Sequence, residues 1–366
     1  MVSIPYVNFA AQYEEERESI LAVVEEVFRV GRFVEGPKIT ELEDALAAFS
    51  DVRAAVALGS GTDALIFALQ ALGIGPGDEV ITVPNSFVAT AAAIVLLGAR
   101  PVFVDVGADM NIDPALIEPV VTSRTKAIMP VHLTGRMADM DAIGDIARRR
   151  NLLVVEDAAQ SFGAKFRGKM VGHWGQVACC SAHPLKNLNA AGDAGFVLTN
   201  DEGMAARIRR WRSHGLINRN ESVEWGRNAR MDVLQATILL ERLKHLESIN
   251  ERRRRNAELY GRLLRSPKVV VPQSRENEYN IFHTYIVQVE RRDELKEYLR
   301  TNGVDTVIHY PIPIHQQKAA AELGYRTGDF PITERQSQSI LSLPIHPYLK
   351  PGDIEYISDC INRFYS

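Results

Sequence analysis

Short apolar segments alternate with helical segments over the first two hundred residues of the chain. Residues 60–73 and 87–99 predict helices that carry apolar side chains on most sides. The apolar segments predict strands buried on both faces, and they lie at residues 54–60, 76–84, 101–106, 125–133, 152–159 and 177–183. Such alternation is typical of a parallel sheet covered by helices on both faces. The predicted fold class is therefore α/β, with a mostly parallel sheet.

Amphipathic segments with a helical period lie on either side of this alternating region. Residues 14–28 and 39–49 predict helices before the first strand, and a basic amphipathic helix begins at about Glu202. Residues 231–264 predict one long helix. Glu and Asn flank its four consecutive arginines, 252–255, so we favour a solvated helix face over an anion-binding patch.

The pattern changes again beyond Ser266. Three segments there predict a strand, a helix and a second strand, at residues 282–290, 292–303 and 304–313. We place a domain boundary near residues 240–250. The predicted domains are a large domain with an N-terminal helical segment, residues 1–245, and a small α+β domain, residues 246–366.

Composition and charge exclude several classes of protein. The 366 residues carry 42 Lys and Arg against 46 Asp and Glu, a net charge of −4 that argues against a dedicated nucleic-acid binder. Cys179, Cys180 and Cys360 are too few for a disulfide framework and fit a reducing compartment. No apolar run approaches the roughly 20 residues of a membrane span, and the N-terminal segment turns acidic where a signal peptide would be apolar. We expect a cytoplasmic enzyme that binds neither membrane nor nucleic acid and holds no metal.

Lys186 lies in a setting that suits a reactive amine. It follows a predicted buried strand and precedes a loop of small residues, 189–195. Open α/β sheets bind ligands at such strand ends. A lysine that is partly desolvated there has a lowered pKa and can form a Schiff base with an aldehyde. The alternative is an ordinary surface lysine in a loop.

Asp157 ends a predicted apolar strand, so we expect its carboxylate to point into the crevice at the end of the sheet. A carboxylate there needs a cationic partner, because burying an unpaired charge is costly. A protonated pyridine nitrogen is one candidate, and Gln160, three residues later, can add a hydrogen bond. A helix N-cap is the other interpretation of Asp157, and both stay open at this point.

Two weaker signals come from the segment 57–69 and from Phe87. In the first, a strand runs into Gly-Ser-Gly-Thr and directly into a helix, where backbone N–H groups, Gly61 and the Thr62 hydroxyl suit an anion. Ordinary helix capping explains these residue types as well. Phe87 follows a strand and a Pro-Asn-Ser turn, so its ring either stacks on a flat cofactor or belongs to the core.

Together these residues meet the four requirements of pyridoxal 5′-phosphate (PLP). The aldehyde needs an amine, the pyridine nitrogen an anion, the phosphate N–H donors, and the ring an aromatic face. Coincidence is the weaker account of their occurrence in one domain. A nicotinamide enzyme is disfavoured, because no dinucleotide-binding fingerprint follows any predicted strand.

The chain resembles the DegT/DnrJ/EryC1/StrS sugar aminotransferases, which are fold type I PLP enzymes, over nearly its whole length. The resemblance rests on the ordered blocks GRFVEGPKITELE, GSGTDAL, VPNSFVATAAAI, GARPVFVDV, PVHLTG, VVEDAAQSFGA, SAHPLKNLNAAGDAG, RSHG, GRNARMDVLQA, HYPIPIH and SLPIHP. It implies a large cofactor-binding domain and a smaller C-terminal domain. It also implies transfer of an amino group from L-glutamate to a nucleotide-linked keto-sugar, since dehydratases of the group carry His in place of Lys186.

The resemblance also implies roles for single residues. Lys186 is the Schiff-base lysine and proton shuttle, and Asp157 pairs with the pyridine nitrogen. Gln160 contacts the ring hydroxyl, and Phe87 stacks on the ring. The residues that hold the phosphate are Gly61, Thr62, Ser181 and, from the neighbouring subunit, Asn228. The role of the last residue implies a homodimer with shared active sites.

Five further residues lie in blocks that flank the substrate site in relatives, and these are His183, His214, Arg219, Tyr310 and His315. Alternatives are a packed histidine for His183, a histidine at a helix C-terminus for His214, and a core tyrosine for Tyr310. Two other functions stay open. One is amino transfer to a cyclitol ketone or another non-nucleotide keto compound, and the other is a non-catalytic regulator that binds the cofactor.

Overall fold

A seven-stranded sheet lies at the centre of the computed structural model, which describes residues 3–366. The strands of this described part are β1 (Ala54–Leu58), β2 (Glu79–Thr82), β3 (Arg100–Phe103), β4 (Thr125–Ile128), β5 (Leu153–Asp157), β6 (Lys165–Phe166), β7 (Lys169–Met170), β8 (Val177–Ser181), β9 (Gly195–Thr199), β10 (Leu216–Asn218), β11 (Glu221–Ser222), β12 (Val269–Val270), β13 (Glu278–Tyr279), β14 (Tyr285–Val289) and β15 (Ile340–Leu343). The central sheet has the order β1-β9-β8-β5-β4-β2-β3. Its strands β3, β2, β4, β5 and β8 run parallel, and β9 is antiparallel to β8 and β1. The predicted α/β architecture with a mostly parallel sheet is confirmed.

Helices cover this sheet and build the rest of the chain. In the described residues they are α1 (Phe9–Val30), α2 (Pro37–Ser50), α3 (Gly61–Ala71), α4 (Ala89–Val95), α5 (Met140–Arg150), α6 (Glu202–Trp211), α7 (Val233–Leu243), α8 (Leu246–Leu263), α9 (Arg292–Thr301), α10 (Pro331–Ser339) and α11 (Pro351–Phe364). α1 begins earlier than predicted, because the Asn8 side chain caps it by accepting the N–H of Ala11 at 3.0 Å.

The prediction of one long helix over residues 231–264 is wrong. The helix breaks at Lys244–His245 into α7 and α8. The two parts pack on different neighbours, since α7 lies against α1 and α2 while α8 lies against α11. A straight helix with one apolar face would not reach both.

The second strand predicted at residues 304–313 is also wrong. Val307 forms an isolated bridge with Ser342, and the segment continues as irregular backbone. Pro311 and Pro313 have no N–H to donate, so a regular strand ladder cannot continue there.

One apolar cluster forms mainly from residues beyond 245, although Leu246, Ile281, Ile286 and Ile340 belong to the cluster of the central sheet. The C-terminal cluster contains Tyr260, Tyr285 and Leu295, which come from α8, β14 and α9. Ile4 joins the same cluster, and its backbone pairs with Gly303. We propose domains of residues 1–245 and 246–366, with the segment around Ile4 crossing to the second.

The carboxyl ends of the parallel strands meet at one edge of the sheet, and this edge carries the polar residues. Asp157 at the end of β5 lies opposite Cys179 of β8, and Ser181 at the end of β8 lies opposite Gly195. In the described chain we find no helix long and apolar enough to cross a membrane, nor any group of three metal-ligating side chains.

Glu156 joins β5 to the loop before β8. Its side chain points away from that of Asp157 and is fully buried. His132 Nδ1 accepts the N–H of Ala138, so its Nε2 carries the proton and donates to Glu156 at 3.1 Å. The other carboxylate oxygen accepts, at 3.0–3.2 Å, the backbone N–H groups of Gly172, Trp174 and Gly175.

Replacing Glu156 with alanine leaves these buried donors without an acceptor. We expect Glu156→Ala to lower the free energy of unfolding by about 3–5 kcal/mol in denaturant titrations. Glu258→Ala, on the exposed side of α8, is the control and should change it by less than about 0.5 kcal/mol. Equal effects of the two substitutions would contradict this account of Glu156.

Candidate active site

A cavity of about 390 Å³ lies at the carboxyl ends of β5 and β8. All the predicted cofactor residues except Asn228 line it, and so do His183 and Tyr310. The cavity walls come from both proposed domains, because Arg253, His283 and His346 also line it. The structure thus brings Lys186 and Asp157, which are 29 positions apart in the sequence, to one enclosed space.

Lys186 lies on the loop that follows β8, where its backbone N–H donates to the His183 carbonyl at 2.8 Å. Burial of the amine in the cavity wall lowers its pKa to about 8, while the nearby Asp157 carboxylate acts in the opposite direction. A larger fraction of this amine is therefore neutral near pH 7 than for an ordinary lysine. The interpretation as a surface lysine is wrong.

Asp157 is buried, with 2% of its surface exposed. Its Oδ2 accepts the hydroxyl of Thr90 at 2.7 Å, and its Oδ1 accepts the N–H of Ala159 at 3.2 Å. Burial raises the pKa of this carboxyl. Turns follow it instead of a helix, so the helix N-cap interpretation is wrong. Its ionised form needs a cation in the cavity.

The start of α3 forms one end of the cavity. Ser60 caps the helix by accepting the N–H of Asp63 at 3.0 Å, so the capping interpretation of this segment is correct. The helix start also faces the cavity through Gly61 and Thr62. A Cβ on Gly61 would lie 2.8 Å from the Ser181 Cβ, so only glycine lets β8 approach this closely.

Gly195 is a second close approach, and the sequence did not reveal it as one. A Cβ on this residue would lie 2.3 Å from the Ser60 carbonyl carbon. Both glycines thus allow strand ends and helix start to converge, leaving backbone N–H groups and small hydroxyls at one corner.

Phe87, Gln160 and Tyr310 form another wall. The Phe87 side chain is 55% exposed, so it is not part of the core, and its ring centroid lies 5.9 Å from that of Tyr310. Gln160 is held at both ends of its amide. Its Oε1 accepts the N–H of Thr134 at 2.8 Å, and its Nε2 donates to the Tyr310 hydroxyl at 3.2 Å. Tyr310 also packs against the apolar cluster of the central sheet, so it is both a core tyrosine and part of the cavity wall.

His183 lines the cavity and is exposed, so it is not a packed core histidine. Its Nδ1 accepts the backbone N–H of Leu185 at 3.3 Å. This contact fixes one ring nitrogen in the loop that carries Lys186.

Four predicted residues do not line the cavity of their own chain. Asn228 lies in an adjoining surface cleft, which shares Ser60 and Asp193 with the cavity. His214 and Arg219 are exposed on the segment that forms the β10–β11 hairpin. His315 is buried, with its Nε2 3.0 Å from Glu334 Oε1, which is a structural contact. The sequence did not show that these residues are separated from the others.

Several cavity residues were missed in the sequence. His309 and His346 lie in the blocks HYPIPIH and SLPIHP without having been assigned a role. The solvated-face interpretation of residues 252–255 is wrong for Arg253, which is buried. The signal was its helical spacing from other buried residues of α8, which are Leu246, Asn250, Ala257 and Tyr260.

The comparisons with known proteins identify the family of the chain. A model of the DegT/DnrJ/EryC1/StrS aminotransferase family matches residues 14–362. A Geobacillus stearothermophilus protein named pleiotropic regulatory protein is 44% identical, over 100% of this chain and 99% of its own. The UDP-2-acetamido-2-deoxy-3-oxo-D-glucuronate aminotransferase of Pseudomonas aeruginosa is 40% identical, over 97% of this chain and 98% of its own.

Two solved structures are similar along the whole chain. Streptomyces venezuelae DesV in complex with a ketimine intermediate has a TM-score of 0.97 and 39% identity, covering 100% of this chain and 99% of its own. Bacillus subtilis NtdA with bound cofactor PMP has a TM-score of 0.91 and 32% identity, covering 99% of this chain and 85% of its own.

The pKa of Lys186 can be measured in the protein without cofactor by reductive methylation with formaldehyde and cyanoborohydride. Only the neutral amine reacts, so we expect half-maximal modification near pH 8, against 10.5 for an ordinary lysine. Asp157→Asn removes the charge that raises this pKa, so the midpoint should move to lower pH. Mass spectrometry of the Lys186 peptide gives the profile, with the exposed Lys296 as a reference for the reagent. A midpoint near 10.5 would contradict the assignment.

Proposed function

The chain belongs to the DegT/DnrJ/EryC1/StrS aminotransferase family and has its fold type I architecture, and from this we propose that it transfers an amino group from L-glutamate to a nucleotide-linked keto-sugar. It is a PLP-dependent enzyme, as its family is. The Pseudomonas relative is named for a UDP-linked keto-sugar, and we carry this substrate class over to the present chain. The observation that carries the proposal is the single cavity lined by Lys186, Asp157 and the start of α3.

The residues that line the cavity fit PLP. The ring nitrogen would supply the cation that the buried Asp157 carboxylate needs, and the exposed Phe87 ring offers a face for the pyridine. The corner kept open by Gly61 would take the phosphate, with the hydroxyls of Thr62 and Ser181 as further donors. When bound, PLP accepts the electron pair that a substrate carbon retains on losing its proton.

Asp157 acts through its charge and its fixed orientation. Thr90 holds Oδ2, and the Thr90 hydroxyl in turn lies 2.8 Å from that of Ser86. The backbone of Asp157 is also fixed, because its N–H donates to Pro130 and its carbonyl accepts from His132, both at 3.0 Å. A carboxylate held in this way keeps a protonated nitrogen at one place in the cavity.

Lys186 acts as the base and acid. Its Nζ would take the proton from the α-carbon of the amino donor. It would then give this proton to the carbon on the other side of the transferred nitrogen. The pKa of about 8 suits both steps, because both forms of the amine are populated near neutral pH. His183 and Tyr310 line the same cavity, and we propose them as substrate contacts.

We favour catalysis over regulation for this chain, although the Geobacillus relative is named a regulatory protein. The family to which the chain belongs is one of aminotransferases. Lys186 and Asp157, the pair that transamination needs, both line the cavity.

We further propose a homodimer in which Asn228 reaches the phosphate in the partner's cavity. Asn228 does not line the cavity of its own chain but lies in a cleft that shares Ser60 and Asp193 with it. The preceding hairpin exposes Ile217, Val223 and Trp225, the last with 94% of its surface exposed. Apolar groups this exposed on one element mark an interface, and a second copy of the chain would cover them.

The same dimer would carry His214 and Arg219, which lie on this hairpin, toward the partner's site. We also propose a cytoplasmic location. All three cysteines are free and buried, which fits a reducing compartment.

Lys186→Ala tests the reaction. The wild-type protein should show the visible absorbance of bound cofactor, and borohydride should fix that cofactor on the Lys186 peptide. With L-glutamate and a panel of dTDP-, UDP- and GDP-linked keto-sugars, mass spectrometry should detect one aminated sugar, and Lys186→Ala should lower its turnover at least about 1,000-fold. Lys296→Ala is the control. Amination of a cyclitol ketone in place of every nucleotide sugar would reject the proposed substrate class.

Co-expressed variants test the shared site. Lys186→Ala and Asn228→Asp each inactivate every site in their own homodimers. If Asn228 serves the partner, hybrids place both changes in one site and leave the other intact. Random pairing then restores about a quarter of the wild-type activity. Lys186→Ala paired with Asp157→Ala is the control and should restore none, because both residues line the same cavity. No recovery with Asn228→Asp would contradict the role in trans.

A further inference from the structure

Arg253 is a buried cation that has no carboxylate partner among the described residues. It is 8% exposed, and it projects from α8 into the cavity wall. Its neighbour Arg252 is different, since its Nη1 donates to Glu15 at 2.8 Å. Arg254 lies over the ring of Tyr279 at 4.2 Å.

The hydrogen bonds of Arg253 satisfy only part of its guanidinium. Nη1 donates to the carbonyls of Phe282 and His283 at 3.2 and 3.1 Å. Nε is buried and has no hydrogen-bond partner, which also holds for Nε of Arg252 and Arg254, so Arg253 is set apart by having no paired carboxylate among the described residues. Burial lowers the pKa of this side chain to about 10, which still leaves it charged at neutral pH. Burying a guanidinium without a paired carboxylate costs free energy, so an anion that reaches its remaining N–H groups is favoured.

Other unpartnered donors lie near this guanidinium. The Thr284 hydroxyl follows His283 directly, lines the same cavity, and is buried without a hydrogen-bond partner. Tyr6 and His346 complete this part of the wall, and the charge of Arg253 influences the pKa of both. This part of the wall is therefore built to receive a polar, negatively charged group.

Arg253 lies on the same side of the cavity as Lys186. Both residues also line a smaller adjoining cavity of about 120 Å³. Burial lowers the pKa of His283, and the charges of Lys186 and Arg253 lower it further, so both side chains lie near its imidazole. A ligand group held by Arg253 is thus close to an atom that reacts at Lys186.

We propose that Arg253 binds a carboxylate of the amino donor, with the Thr284 hydroxyl as a second donor, while the amino-bearing carbon of the donor lies against Lys186. This inference rests on the proposed function. A guanidinium fork matches the planar carboxylate and can bind it through two parallel hydrogen bonds. In an α-amino acid the carboxylate is one bond from the reacting carbon. The diphosphate of a nucleotide sugar is separated from its reacting carbon by the sugar ring, and so fits this position less well.

Binding of glutarate, an unreactive dicarboxylate, tests the site apart from catalysis. Calorimetry on the enzyme with its cofactor should show that Arg253→Met weakens glutarate binding at least about tenfold. Arg252→Met is the matched control on the adjacent residue and should change it less than about twofold. The absorbance of bound cofactor and the unfolding temperature show whether each variant is folded. If Arg253→Met lowers the unfolding temperature but leaves the glutarate affinity unchanged, Arg253 only stabilises the backbone of residues 282 and 283 through its hydrogen bonds. This result would overturn the proposal.

The two half-reactions identify the source of the carboxylate. With L-glutamate, Arg253→Met should need at least about tenfold more donor for half of the cofactor to change its absorbance. With the amino sugar nucleotide as donor in the reverse direction, the change should stay within about twofold. The opposite pattern would assign Arg253 to the nucleotide sugar and overturn the proposal.

Two further outcomes are decisive. If Arg253→Met does not fold, Arg253→Lys replaces it, because lysine keeps the charge and loses the fork. Glutarate affinity equal to wild type in that variant would overturn the proposal. If the wild type binds glutarate through Arg253 but performs no half-reaction, the proposed function fails and the carboxylate site stands. If Arg253→Met leaves transamination unaffected, the proposed function stands and the carboxylate site fails.

Discussion

The structure depends on holding one carboxylate, Asp157, inside the protein at the end of a parallel strand. The strand fixes its backbone, and Thr90 and Ala159 fix its oxygens. Burial raises the pKa of the carboxyl, so a bound cation is needed to favour its ionised form. Lys186 opposes it across the cavity with a pKa shifted the other way. Two groups of opposite charge, each made less stable by burial, give the site its chemistry. A ligand that supplies a cation for Asp157 and an electrophile for Lys186 offsets the cost of burying both groups.

The site is assembled from two kinds of wall. The sheet edge and the start of α3 supply small residues and backbone donors, which suit a ring and a phosphate. The second wall comes from the proposed small domain and carries side chains that differ in charge and shape, among them Arg253, His283 and His346. The residues that we propose for the cofactor lie mainly on the first wall. Arg253 Nε and Thr284 Oγ1, which have no hydrogen-bond partner, lie on the second.

The sequence was sufficient for the sheet and for the first wall because both follow from local signals. Apolar runs ending in Asp157 or in the loop before Lys186 mark strand ends, and parallel strands bring those ends together. The second wall depends on packing between segments far apart in the chain. The flanking Glu and Asn favour a solvated face for residues 252–255, whereas the helical spacing of Arg253 places it among the buried residues of α8. The break at Lys244–His245 and the irregular path of 304–313 arise from tertiary contacts and prolines, which periodicity does not report.

The close approaches at Gly61 and Gly195 divide the molecule into parts that tolerate change differently. Any larger residue there would collide with Ser181 or the backbone of Ser60, so this corner is fixed by sterics and not by the choice of substrate. The wall around Arg253 and His346 is formed by side chains instead. Engineering of this enzyme toward new amino acceptors or donors therefore belongs on residues 253, 283, 284 and 346, where substitutions leave the corner at Gly61 and Gly195 intact.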